Sequence, residues 1–282
     1  MNISINELLT LSAQSDGSHF IITNVTGLGV ADIRTSSFLF SGRSGGMVTD
    51  QLYGFRTITI TGKIGDKSMT YAQHKLDRAA LQDALPIGSS IPIYITVFSG
   101  ERYRIDCNVT DVKLEYLQRG MMSDFLIQLT AGDPFFYSTD GGDENSASVT
   151  RVTQGGYLTP YDLPVDWASG SSPTVVTNSG EAMYLPRIEL HDQADNPIIT
   201  NQTTGERFEI DINMVDGDLV VVDMFKRTLT LNGANIIGNK TDDSVWWGLQ
   251  VGTNSIVLDS GSGSDTVTAD IYWRNGVRGH IR

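Results

Sequence analysis

The sequence predicts a mostly β protein in two parts, an N-terminal α+β domain with one helix and a C-terminal antiparallel β-sandwich. Three observations carry this. Phe208, Ile210, Ile212 and Met214 alternate with Glu209, Asp211 and Asn213, the period-2 pattern of a strand with one buried face. Asp216-Gly217 and Asn232-Gly233 punctuate short apolar runs, and such pairs favour two-residue hairpins because both central residues need positive φ. Only Ser68 to Leu85 carries a convincing helical stripe.

In chain order, Phe38 to Phe40 and Arg56 to Thr61 read as strands flanking Ser41-Gly42-Arg43-Ser44-Gly45-Gly46, a flexible loop or hairpin tip. The helix over 68–85 places Met69, Ala72, Leu76, Ala79, Ala80 and Ala84 near one stripe, widened by Tyr71, Leu81 and Leu85, which is expected to pack on the sheet. Pro86-Ile87-Gly88 ends it. Ile91, Ile93, Ile95 and Val97 alternate next, and Tyr103 to Val109, Val112 to Tyr116 and Phe125 to Leu129 follow as strands. Asp140 to Ser172 is rich in Gly, Ser, Asp and Pro and reads as a connection. Beyond it, Leu219 to Val222, Thr228 to Leu231, Ala234 to Ile237, Ile256 to Leu258 and Thr266 to Trp273 complete a meander, with Trp246, Trp247 and Leu249 as core bulk. The domain boundary is expected near residue 138, giving 1–138 and 139–282.

Composition narrows the function. The net charge of −13 argues against wrapping nucleic acid, which needs clustered Lys and Arg. No apolar run approaches the ~18 residues of a membrane span, and Met1 to Thr10 lacks the pattern of a secretory signal, so synthesis in a cytoplasm is expected. The single cysteine, Cys107, shares a face with Tyr103, Ile105 and Val109 and reads as a buried thiol.

Motifs that carry chemistry are nearly absent from the sequence. Gly42-Arg43-Ser44-Gly45-Gly46 matches the spelling of a nucleophile elbow, but the elbow needs a helix after it, and Met47 to Phe55 is a poor one. His19, His74, His191 and His280 have no metal-ligand spacing. The 140–145 segment is acidic without the twelve-residue calcium pattern. No phosphate-cradling or dinucleotide motif appears. No enzyme activity, cofactor or metal is expected. Trp246 and Trp247 read as core or interface, with a sugar-stacking platform as the alternative.

The order of motifs resembles the distal tail protein family of siphophages, a tail component and baseplate hub. The resemblance rests on Arg56-Thr57-Ile58-Thr59-Ile60-Thr61-Gly62 and Asp133-Pro134-Phe135-Phe136-Tyr137 in the first half. In the second half it rests on Pro186, Asn201-x-Thr203-Thr204-Gly205, Gly217-Asp218, Asn232-Gly233, Trp247-x-Leu249 and Gly252-x-Asn254. It implies an N-terminal belt domain that forms a hexameric ring at the end of the tail tube, and a galectin-like C-terminal sandwich. The implied role is a structural virion protein at the distal end of the tail. It would join the tube to the tip and receptor-binding proteins, with DNA passing through the lumen without specific binding. A ring needs two different patches that meet head to tail. Arg43, Met47, Leu52, Tyr53 and Phe55 are the interface candidates, and the 68–85 helix is a second candidate piece. The alternative function is a carbohydrate-binding module adhering to host cell wall.

Overall fold

The computed structural model describes residues 1–13, 19–65, 69–115, 122–139, 142–151, 173–261 and 266–279. Two compact units emerge. Unit 1 comprises Met1–Asp143 with the chain end Val277–Arg282, and unit 2 comprises Glu144–Gly276.

Unit 1 contains β1 (Asn2–Ile5), β2 (Leu9–Ser12), β3 (Phe20–Thr26), β4 (Ile33–Leu39), β5 (Gly46–Tyr53), β6 (Arg56–Ile64), α1 (Tyr71–Asp83), β7 (Ser90–Thr96), β8 (Arg102–Leu114), β9 (Ser123–Ala131) and β10 (Phe136–Ser138). Its sheet closes on itself in the order β1-β2-β3-β6-β9-β8-β7 and back to β1. The sequence predicts a sheet with one helix packed on it and does not show that the sheet closes; closure comes from β8. That strand spans both predicted segments, pairs with β7 over Arg102–Asn108, and then bulges at Val109/Asp111 to pair with β9. A bulge bends the strand and raises its twist, which is what closure requires. The short strands β1 and β2 had no clear sequence signal. Tyr116 lies outside the described residues.

Alternation fills the barrel. Ile58, Ile60 and Ile64 of β6 meet Phe125, Ile127 and Leu129 of β9 and Ile91, Ile93 and Ile95 of β7, with Leu81 of α1 in the same cluster. Gly62 sits opposite Phe125, whose ring lies where a Cβ would stand, 2.5 Å away. Thr70 caps the helix by accepting from the Gln73 amide at 3.3 Å, and Ser68 lies outside the described residues. The expected helix orientation is corrected. Leu81 and Ala84 are buried, but so are His74 and Asp77, while Tyr71, Ala72, Leu76, Ala79 and Ala80 are exposed.

One buried cation ties the unit together. Arg56 is 2 % exposed, and its guanidinium donates to the carbonyls of Pro134 (2.6 Å), Gly27 (2.7 Å), Gly29 and Arg278 (2.9 Å). It also lies over the Phe136 ring, 4.3 Å from the centroid. Burial draws its pKa down from the ordinary value, while Cys107, Asp133 and Asp32 pull the other way.

Unit 2 contains β11 (Asn145–Thr150), β12 (Thr174–Asn178), β13 (Arg187–His191), β14 (Ala194–Asp195), β15 (Ile198–Asn201), β16 (Glu206–Glu209), β17 (Asn213–Met214), β18 (Leu219–Asp223), β19 (Thr228–Leu231), β20 (Ala234–Asn235), β21 (Gly252–Asp259) and β22 (Thr268–Trp273). One sheet runs β11-β22-β13-β18-β19-β20 and the other β12-β21-β15-β16. They share a core of Ile188, Leu190, Val222, Phe208, Ile256 and Leu258, among others, closed by Trp247.

Three details depart from expectation. The alternating run 208–214 is broken: β16 ends at Glu209 and β17 pairs with β14, although Phe208, Ile210 and Met214 are all buried. The turn at Asp216-Gly217 therefore leads between strands that pair with other partners, whereas Asn232-Gly233 joins the paired β19 and β20 as predicted. The supposed connection contains strand β11, whose serines and alanine gave little apolar signal.

Two outcomes follow for unit 1. Arg56→Ala strands several buried carbonyls and is expected to lower the unfolding free energy by about 3 kcal/mol or more, read by denaturant melts. Cys107 is fully buried, and desolvation pushes its thiol up to about 12, above an ordinary 9.0. The unfolded chain then loses this proton before the folded one does, so stability should fall as pH rises from about 9 to about 12. Cys107→Ala should flatten that limb, and native protein should resist thiol reagents.

Candidate functional site

Strands β4 and β5 form a separate two-stranded sheet, an arm inserted between β3 and β6. A lone hairpin is marginal in water without further packing, yet nearly every residue of this one is exposed. Its base is closed by the Gly54 amide donating to the Asp32 carbonyl at 2.7 Å.

The register sorts the arm into faces. Arg34 opposes Leu52, Ser36 opposes Asp50 and Phe38 opposes Met47, and these six share one face. Phe40 continues that face and packs edge-on against Phe38, with centroids 5.9 Å apart. Arg43, in the turn, stacks 3.9 Å over Phe40. Ile33, Thr35, Ser37 and Leu39, with Tyr53, Gln51 and Val48 across from them, make up the opposite face.

The structure thus gathers Arg43, Met47 and Leu52 on one exposed face, Met47 being 51 % and Leu52 57 % exposed. Tyr53 does not join them. It turns to the other face, half-buried against Phe135 of its own barrel with ring centroids 5.6 Å apart. Phe55 is exposed but lies just past the arm. The sequence also missed Phe38 and Phe40 as members of this surface; their alternation across the hairpin was the available signal. Ser44 stands in a turn followed by strand β5, not the helix that a nucleophile elbow needs.

The other singled-out residues are engaged in the fold. Asp133 accepts from the Phe135 amide (3.2 Å) and from the Tyr137 hydroxyl, shaping the turn from which Pro134 meets Arg56. Pro186 accepts from the Met224 amide at 3.1 Å. Asn201 and Asn254 are buried and joined at 3.3 Å. Asn201 also donates to Gly248 at 3.3 Å and accepts from the Thr203 amide at 3.0 Å. Asn254 exchanges bonds with Gln250 at 2.8 and 2.9 Å and donates to Gly252 at 3.1 Å. Asn178, not singled out from sequence, holds the neighbouring chain by donating to Ala182 (2.9 Å) and Leu249 (3.1 Å). These amides fasten the segment carrying Trp247. Asp218 is held below the usual carboxylate range by the Val215 amide and by Asn232 of the Asn232-Gly233 turn. Gly205, like Gly217, occupies a turn with positive φ.

Groups with chemical potential are likewise tied up. His19 lies 2.8 Å from Asp77 and His74 2.6 Å from the Ser123 hydroxyl, the latter pair buried. His191 stands 3.5 Å from Asp270, and His280 is outside the described residues. In the acidic 140–145 segment, 140 and 141 are outside the described residues. Asp143 is paired with Arg104, and Glu144 with Arg274 and Arg187. Trp247 is buried and Trp246 half-buried on Phe208, 4.8 Å between centroids, so neither forms an open stacking platform.

Residues 179–276 match the family model of the siphovirus-type tail component, C-terminal domain. That match lies within unit 2, and it bears out the resemblance to the siphophage distal tail family read from the sequence. Most of the chain shares its fold with the crystal structure of the SPP1 Dit (gp 19.1) protein, described as a paradigm of the hub adsorption apparatus in phages infecting Gram-positive hosts. The TM-score is 0.64 at 16 % identity over 91 % of this chain and 93 % of that one. A chain of the phage P2 baseplate in its activated conformation matches with a TM-score of 0.51 at 10 % identity over 96 % of each chain. No curated protein matches in sequence.

Asn254→Ala removes donors and acceptors from a closed buried network and should cost about 2–4 kcal/mol, whereas Met47→Glu on the arm should stay within about 0.5 kcal/mol. Thermal unfolding of the two variants checks both values. A large loss for Met47→Glu would mean that the arm packs on its own chain.

Proposed function

We propose that the chain is a structural subunit of a phage distal tail, working by assembly rather than catalysis. The observation that carries this reading is the arm: a hairpin with exposed Phe38, Met47 and Leu52 on one face, where Arg43 stacks over half-buried Phe40. Arg, Met and aromatic side chains are enriched where proteins bind each other. A patch on an arm that differs from the surface it meets is the heterologous contact from which rings close. The match of unit 2 to a siphovirus tail domain and the shared fold with phage hub proteins support the setting.

In this reading six copies form a ring at the end of the tail tube. Unit 1 is the ring-forming belt, with Arg43, Met47 and Leu52 at the subunit contact, and unit 2 is the sandwich. The ring joins the tube to the tip and receptor-binding proteins. The excess of carboxylates over cations suits a channel that DNA crosses without binding. The carbohydrate-binding alternative gains no support from Trp246 and Trp247.

Light scattering of the purified chain, with negative-stain images of any large species, tests the proposal. The expected result is a six-fold ring with a central hole. A monomer across the accessible concentration range would count against it.

A further inference from the structure

Helix α1 turns only part of its predicted apolar stripe inward, Leu81 and Ala84 among it. Beside Leu81 and Ala84, its inward side carries polar groups: His74 meets Ser123 at 2.6 Å, Asp77 meets His19 at 2.8 Å, and Arg78 donates to the Glu115 carbonyl at 3.0 Å. Its outward side carries the apolar stripe Ala72, Leu76, Ala79 and Ala80, flanked by Tyr71, with Leu76 63 % and Tyr71 60 % exposed. Burying charge and leaving alanine and leucine in water costs stability in a monomer. Such breaches of local consistency concentrate at functional surfaces.

We propose that this outward face of α1 is the seat for the arm of an adjacent copy of the same chain, an inference that rests on the ring reading above. Size complementarity favours that occupant. The arm offers large side chains, Phe38, Phe40, Met47 and Leu52, and the helix offers alanines that let a backbone approach closely. Charge complementarity favours it too. On the arm, Arg43 lies over Phe40 and Asp50 lies opposite Ser36, four residues along β4 and so about 13 Å away. On the helix, exposed Lys75 and Asp83 are eight residues apart, about 12 Å along the axis. Arg43 can therefore face Asp83 while Asp50 faces Lys75, with Arg34 at the root of the contact. The donor of the arm is another copy, because within one chain both surfaces stand exposed. Each subunit then gives an arm and receives one, the arrangement a closed ring requires.

Cysteine pairing tests this, since Cys107 is buried and gives no background. A Met47→Cys chain mixed with a Leu76→Cys chain should form a mixed dimer under a short bifunctional thiol reagent. A chain carrying both substitutions should give a ladder of cross-linked species ending at six copies. Leu76→Glu should weaken assembly at least tenfold without changing monomer unfolding. Arg43→Asp should do the same and be rescued by Asp83→Arg. A ring that forms with no Met47–Leu76 cross-link, and that tolerates Leu76→Glu, would overturn the helix seat and leave the ring reading standing. A cross-link within one chain would show the arm folding back and overturn the proposal. Absence of any assembly in the unsubstituted chain would overturn both.

Discussion

Unit 1 depends on the Arg56 guanidinium more than on any other single group. A charge so deeply buried is tolerated only when its donors are satisfied, and here carbonyls from three stretches of chain do so. Its location explains its importance. Gly27 and Gly29 precede the arm, and Arg56 itself begins the strand that follows it, so both roots of the arm pass through one clamp. Pro134 and Arg278 bring in the turn after β9 and the returning chain end. The arm can therefore carry few internal contacts and still leave the barrel at a fixed place.

That division of labour links the packing to the proposed work. The barrel buries a large aliphatic core, and its one thiol is inert at neutral pH. Unit 2 does the same with two sheets and a set of buried asparagines that hold the Trp247 segment. Against these settled cores, the arm and the outer face of α1 carry exposed apolar residues on regular elements. In the proposed ring, each supplies what the other lacks.

Local pattern made much of this legible. Alternation at Ile91 to Val97 and the Asn232-Gly233 turn identified real elements because strand and hairpin chemistry act over a few residues. The motif order around Asn201, Trp247 and Asn254 pointed to the tail family, and these residues turn out to be buried scaffolding. What the sequence hid was non-local. Closure of the barrel depends on β8 changing partners at a bulge, a fact of long-range pairing. The 208–214 run kept its alternating burial while its backbone left one sheet for another. The helix stripe misled in part, because Ser123 and His19 lie far from α1 in sequence yet meet His74 and Asp77 on its buried side. Of the interface candidates, Tyr53 was misplaced for a related reason: the ring of Phe135 claims it.

The most direct measurement is amide hydrogen exchange on the assembled species against the same chain diluted to monomer. The account requires slowed exchange in 33–53 and 71–83 on assembly, with the buried strands of both units unchanged. Slowing confined to unit 2, or an arm that exchanges freely in a large assembled species, would contradict it.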